Sequence, residues 1–228
     1  FLIIRLFKID MYNKIFICCI LFFYTSCNVP GADIGTQKLE LDQSSDTLNV
    51  LTNITPYAQD GFVNALIEIP AGTIDKWELN KSSGKLEWES INGKPRKVNY
   101  IGYPGNYGMI PSTLLSKESG GDGDPLDILV LGPSTPRGSI VKCKIIGVLY
   151  LLDRGERDDK LIAISADSPL VDINNINELE YSYHGVLEIV KLWFENYKGH
   201  DLIKSPGYGN KTKAIDILKD AIEQYKIH

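Results

Sequence analysis

The sequence predicts an α+β domain, mainly β, built as a closed or partly closed barrel with helices packed on it. Three observations carry this. Short β-branched runs bounded by Gly or Pro recur at Ile128 to Leu131, Ile140 to Tyr150 and Lys160 to Ile164, and many short strands with such turns suggest a barrel. A hairpin between Asp75 and Trp88 argues against a parallel α/β sheet. Helical periodicity appears only beyond Ile173. At 228 residues, 43% of them apolar, the chain is one domain with a tail and can bury a sizeable core.

The N-terminal stretch is expected to lie outside the fold. Phe1 is not an initiator, and Met11 is the expected start. Lys14 supplies a positive region, and Ile15 to Tyr24 is an unbroken apolar run. That run is too short to span a bilayer and suits the core of a signal peptide. Thr25-Ser26-Cys27 follows, which resembles a bacterial lipoprotein signal with Cys27 as the lipid-bearing residue. An ordinary secretory signal and a retained anchor are the alternatives. Residues 1–27 are read as signal, 28–60 as a polar tether and lead-in, and 61–228 as the folded domain. Of the four cysteines only Cys143 falls in that domain, so no internal disulfide forms there, and its strand pattern makes it a small core residue. A net charge of −5 excludes the basic excess that nucleic-acid binding needs. It also sits badly with a phosphate ligand, unless metal ions invert the local field.

The domain opens on Phe62 to Ile69, where Val63, Ala65, Ile67 and Ile69 alternate onto one face and Pro70 ends the strand. Glu68 inside this run reads most simply as an edge-strand charge facing water. Asp75 to Leu79 is the second strand, with Lys76 and Glu78 on one face and Trp77 and Leu79 on the other. Lys81 to Lys85 turns the chain, and Leu86-Glu87-Trp88 returns it. Tyr181 to Lys198 carries Leu187, Val190, Trp193, Phe194 and Tyr197 at helical spacing, with Gly199 as the expected C-cap. Lys204 to Lys213 is a Gly-rich loop, and Ala214 to Tyr225 a second amphipathic helix. No internal repeat is evident, and His184, His200 and His228 lack zinc-ligand spacing.

The chemistry concentrates in Gly120-Gly121-Asp122-Gly123-Asp124-Pro125-Leu126-Asp127, which leads into an apolar strand. Gly123 lets the chain turn Asp122 and Asp124 toward one point, and Pro125 fixes the backbone where the strand begins. On that strand Asp127 points opposite to Leu126 and Ile128. Like charges this close repel one another and raise pKa values unless a cation lies between them. Oxygen-only ligands suit Mg²⁺ or Mn²⁺ better than zinc. An EF-hand reading fails, because its fifth, sixth and twelfth positions would hold Leu126, Asp127 and Pro133.

This stretch resembles the D-x-D-P-x-D signature of the family I soluble inorganic pyrophosphatases. Four further segments match in order: Glu68-Ile69-Pro70, Lys76-Trp77-Glu78, Tyr103-Pro104-Gly105-Asn106-Tyr107-Gly108, and Asp153-Arg154-Gly155-Glu156-Arg157-Asp158-Asp159-Lys160. The Tyr197-Lys198 pair also matches, and the likeness runs from about Phe62 to Tyr225. It implies a five-stranded OB-like closed barrel with flanking helices and hydrolysis of pyrophosphate with Mg²⁺, Mn²⁺ being a possible substitute. It implies metal ligation by Asp122, Asp127, Asp153 and Asp158, with Glu68 reaching metal through water, and Asp124 as general base. Phosphate oxygens would be bound by Lys76, Arg96, Tyr107, Lys160, Tyr197 and Lys198. Arg96 stands one residue nearer Tyr103 than the family spacing, so Lys94 and Lys97 are alternatives for its role. A homo-oligomer is expected, exported and held by lipid on the periplasmic or outer face of a bacterial cell, or cytoplasmic if the signal is unused. Two other functions fit the same residues: a non-catalytic metal- and phosphate-binding module, and hydrolysis of other small phosphoanhydrides.

Overall fold

The computed structural model describes residues 53–227, so the signal, Cys27 and most of the lead-in lie outside the described residues. Its strands are β1 (Val63–Ile69), β2 (Trp77–Asn80), β3 (Lys85–Trp88), β4 (Ser90–Ile91), β5 (Lys94–Pro95), β6 (Asn106–Met109), β7 (Asp127–Leu131), β8 (Ile140–Asp153), β9 (Glu156–Arg157), β10 (Lys160–Ser165) and β11 (Ile203–Asn210). Its helices are α1 (Ile176–Ser182), α2 (Val186–Asn196) and α3 (Lys211–Ile227). The domain is mostly β with few helices, as the sequence predicts.

One seven-stranded sheet runs β1-β6-β7-β10-β8-β11, with β9 hung on β8. β1 pairs antiparallel with β6 and also with β8, Ala65 standing opposite Val141. β7 and β10 are the parallel pair, with Ile128 opposite Leu161. β8 is long enough to pair with β1, β9, β10 and β11. Because side chains alternate along β7 and β10, each strand feeds two cores. Leu129, Leu131, Ile162 and Ile164 pack with Leu179 of α1 and with Leu187, Val190, Trp193 and Phe194 of α2. Ile128, Val130, Leu161 and Ala163 pack with Ala214, Leu218, Ala221 and Ile222 of α3. Burial on both faces explains why these strands read as continuous apolar runs. Cys143 is fully buried in the α3-side core, as expected.

β2 and β3 form a separate hairpin, and β4 and β5 another. The second turns on Asn92 and Gly93, both at positive φ (53° and 74°), the conformation a two-residue hairpin turn needs.

The structure corrects four expectations. Val63, Ala65 and Ile67 share the α3-side core, but Ile69, beyond a register shift, packs in the other core. The helical segment from Tyr181 to Lys198 is two helices, broken where Tyr183 leaves helical geometry and Gly185 takes φ 87°. Tyr197, not Gly199, caps α2. The Gly-rich stretch after Lys204 is strand β11, not a loop. Its glycines serve close approach: a Cβ on Gly209 would stand 2.4 Å from the Tyr150 hydroxyl oxygen. Pro206 sits at the bulge between Lys204 and Gly207, where the ladder has no need of its missing N–H.

Gly108 joins fold and site. It lies opposite Ile67, and a Cβ there would stand 1.8 Å from the Leu66 carbonyl oxygen. Gly108→Ala is therefore expected to cost about 2–3 kcal/mol, read as a fall in Tm of roughly 5–10 °C. An unchanged Tm would show that β1 and β6 yield freely.

Candidate active site

The chain around the central motif is held by its own backbone before any side chain acts. Gly121 N–H donates to the Ser116 carbonyl (2.9 Å), Gly123 N–H to the Leu115 carbonyl (2.8 Å), and Leu115 N–H to the Asp124 carbonyl (2.8 Å). Gly123 takes φ 84°, which an L side chain rarely adopts. Asp122 closes the turn, its Oδ1 accepting from Asp124 N–H at 2.9 Å. Leu126 is then buried, and Asp127 begins β7 on the opposite side, as the alternation predicts.

A cavity of about 620 Å³ opens above this turn. Glu68, Lys76, Tyr107, Asp122, Asp124 and Asp127 all line it, so segments far apart in sequence meet there. Glu68 does not face open water: it is 6% exposed, and its Oε1 accepts from Leu79 N–H at 2.8 Å. Lys76 and Glu78 line the cavity, and Leu79, expected on the opposite face, borders it too while packing in a small core with Leu66 and Met109. The Lys76 ammonium stands 5.4 Å from the Tyr107 ring centroid. Tyr107 packs on Tyr103 and Phe194. Burial, then the nearby Asp127 charge, raises its hydroxyl well above the ordinary value, so it stays a donor.

The second acidic segment approaches from β8, β9 and β10. Lys160, only 2% exposed, bridges Asp127 Oδ2 at 2.5 Å and Asp158 Oδ1. Burial alone would lower the pKa of this ammonium, but the two carboxylates outweigh it and raise it. Asp158 is raised chiefly by burial, against the opposing pull of Lys160. Asp122 is raised by desolvation and by its neighbours Asp124 and Asp127. Lys198 holds Asp153 Oδ2 at 2.5 Å, and the buried Asp153 Oδ1 has no hydrogen-bond partner among the described residues. Tyr197 lies beside Lys198 and stacks on Trp193 with ring centroids 4.6 Å apart.

Among the described residues no three acidic, His or Cys side chains converge on one metal-sized point. Each carboxylate is instead turned toward a lysine or the backbone. The donor set still fits a hard divalent cation: it is all carboxylate oxygen, Asp122 and Asp158 have raised pKa values, and it includes an orphaned buried Asp153 oxygen.

Arg96 stands apart from the cavity lining. Its Nη1 donates to both carboxylate oxygens of Glu89 at 2.8 Å, and it lies near Tyr103 and Tyr197. Lys97 instead pairs with Asp75 and covers the Trp88 ring, and Lys94 is exposed on β5. Of the three alternatives, Arg96 is the one beside the tyrosines.

Sequence reasoning missed Lys81 and Glu89. Lys81, at the tip of the β2–β3 hairpin, donates to Asp124 Oδ1 and, at 3.0 Å, to the Gly123 carbonyl. Nothing marks it in a run of turn residues. Only the fold shows that the tip overhangs the motif.

Glu68 gives a pH signature. Burial, reinforced by Asp127 and opposed by Lys76, pushes its carboxyl up to about 7 from an ordinary 4.5. A carboxyl raised in the folded state favours folding below its unfolded pKa and loses that contribution as pH rises through the folded one. In EDTA the protein is expected to lose on the order of 3 kcal/mol from this group as pH climbs from 4.5 to about 7. Thermal midpoints of Glu68→Gln should lack that part of the slope; superimposable pH curves would assign it elsewhere.

Residues 65–226 match the inorganic pyrophosphatase family. The chain is 38% identical over 172 residues to soluble inorganic pyrophosphatase 2 of Chlamydomonas reinhardtii, covering 73% of this chain and 82% of that one. The solved inorganic pyrophosphatase of Helicobacter pylori superposes with a TM-score of 0.63 at 34% identity, over 74% of this chain and 96% of that one. That of Thermus thermophilus superposes with a TM-score of 0.65 at 28% identity, over 78% and 99%.

Proposed function

Since this chain belongs to the inorganic pyrophosphatase family, we propose that its acidic cavity is the site at which pyrophosphate is bound and cleaved. The protein is an inorganic diphosphatase, hydrolysing pyrophosphate to two phosphates. The observation that carries the site assignment is the meeting of Glu68, Lys76, Tyr107, Asp122, Asp124 and Asp127 around one cavity. The pairing of β1 with both β6 and β8 supports reading β1, β6, β7, β10 and β8 as a five-stranded OB-like closed barrel, with this cavity beside β1, β6 and β7.

Asp122, Asp127, Asp153 and Asp158 would hold Mg²⁺, or Mn²⁺ in its place, with Glu68 reaching it through water. When bound, such a cation neutralises charge and lowers the pKa of a coordinated water. Asp124 accepts the proton of the attacking water as a new P–O bond forms and the bridging P–O bond breaks. Lys76, Arg96 and Tyr107 donate to phosphate oxygens on the β1–β2 side. Lys160, Tyr197 and Lys198 do so on the β8–β10 side and stabilise charge on the leaving phosphate. The lysines that hold Asp127, Asp158 and Asp153 are the same cations this scheme assigns to phosphate, so the carboxylates need another positive charge when substrate arrives.

Phosphate release is expected with Mg²⁺, to be lost in EDTA, and to be much faster from pyrophosphate than from ATP. Comparable rates on ATP would make the site a broader phosphoanhydride hydrolase. Asp124→Asn should lower kcat by roughly 10²–10⁴ while leaving Mg²⁺ affinity within a few-fold. A near-normal kcat would place the base elsewhere.

We read the protein as a homo-oligomer, a reading supported by exposed apolar side chains at Ile101, Ile189 and Leu192. We read residues 1–27 as a lipoprotein signal that anchors the enzyme on the outer side of a bacterial membrane, supported by the apolar run before Thr25-Ser26-Cys27. Palmitate labelling should disappear in Cys27→Ala. Soluble protein without label from the unaltered chain would contradict the anchor.

A further inference from the structure

The backbone ties three residues of the hairpins into one unit. Glu89 N–H donates to the Lys76 carbonyl at 3.0 Å, Lys76 N–H to the Arg96 carbonyl at 3.1 Å, and Arg96 N–H to the Glu89 carbonyl at 2.7 Å. The Trp88 indole N–H adds a bond to the Arg96 carbonyl at 2.8 Å. Two cationic residues assigned to phosphate are thus set in register with one glutamate between them.

The side chains continue the pattern. Both Glu89 oxygens accept from Arg96 Nη1, and the pair is 27% and 22% exposed, partly shielded from water. Glu89 itself lines the cavity beside Lys76 and Asp127. Arg96 lies behind it, near Tyr103 and Tyr197. Since Nη1 alone contacts Glu89, the N–H groups of Nη2 and Nε are not committed to it. An acid in the wall of an anion-binding cavity opposes binding on its own. Coupled to a guanidinium, its charge is cancelled, and it fixes a long side chain that would otherwise sample many rotamers.

We propose that Glu89 is a positioning residue that orients Arg96 for substrate phosphate, an inference resting on the pyrophosphatase reading above. Glu89 does not touch the substrate; it acts through Arg96. The alternative is a plain hairpin salt bridge, which would move stability and leave KM alone.

Steady-state kinetics of Glu89→Gln, Glu89→Ala, Arg96→Ala and the double alanine variant separate these. Glu89→Ala is expected to raise KM for pyrophosphate about tenfold with kcat within about twofold, the size of one lost charge-assisted contact. Glu89→Gln, which keeps an acceptor and the side-chain shape, should fall between. In the Arg96→Ala background, Glu89→Ala should add nothing. An unchanged or lowered KM in Glu89→Ala, or an equal effect with and without Arg96, overturns the proposal. If wild type hydrolyses pyrophosphate but Arg96→Ala leaves KM unaltered, the part given to Arg96 fails and this inference with it, while the enzyme assignment stands. Tm recorded for every variant keeps folding defects apart, and Glu89→Gln supplies the decisive comparison should an alanine variant unfold.

Discussion

Lys160 lies buried between Asp127 and Asp158, and the architecture of the site follows from that contact. An ammonium at this depth needs carboxylates to be tolerated. A buried ion pair of this kind adds little to stability compared with an apolar filling of the same space. What it fixes is position. Asp127 opens β7, Asp158 closes the turn into β10, and Lys160 starts the parallel partner strand. The Gly-rich turn before Asp127 and the charged turn before Lys160 are thus brought to the same end of the sheet. Lys198 on Asp153 is a second, partly buried contact of this kind, whereas Lys81 on Asp124 is exposed. The acidic cluster is thus partly neutralised by the chain's own lysines.

The fold divides this work between two parts. The main sheet, buried on both faces, places the aspartates rigidly at strand ends. The two small hairpins and the chain beside them lie outside that sheet and bring Lys76, Lys81 and Glu89 to the cavity. Lys81 reaches from the β2–β3 tip to the central motif. Cations thus come from both parts, Lys76 and Lys81 from the hairpin side and Lys160 from β10 of the sheet.

The strands were legible because their apolar runs are β-branched and end at Pro or Gly, and the candidate site because its segments resemble family motifs. Glu68 shows the limit of that reading. Alternation could not tell whether its carboxylate meets water or the Leu79 N–H, since this depends on a hairpin folding over it. The glycines of β11 mislead for a related reason. Gly207 and Gly209 look like turn residues, yet Gly209 is required by the Tyr150 ring packed against it, a long-range contact absent from local sequence. The break at Tyr183 to Gly185 is hidden because the apolar spacing of α2 continues in phase across it. Lys81 and Glu89 are invisible in sequence since each gains meaning only from a partner: Asp124 for the first, Arg96 for the second.

If the carboxylates around Lys160 serve a divalent cation, they bind it without substrate. Calorimetric titration of Mg²⁺ into the EDTA-treated, dialysed protein, beside Asp127→Ala, measures this. Saturable binding is expected for the wild type, weakened at least tenfold in Asp127→Ala. No saturable binding to the folded wild type, or equal affinity in the two proteins, would mean that these carboxylates do not hold the cation.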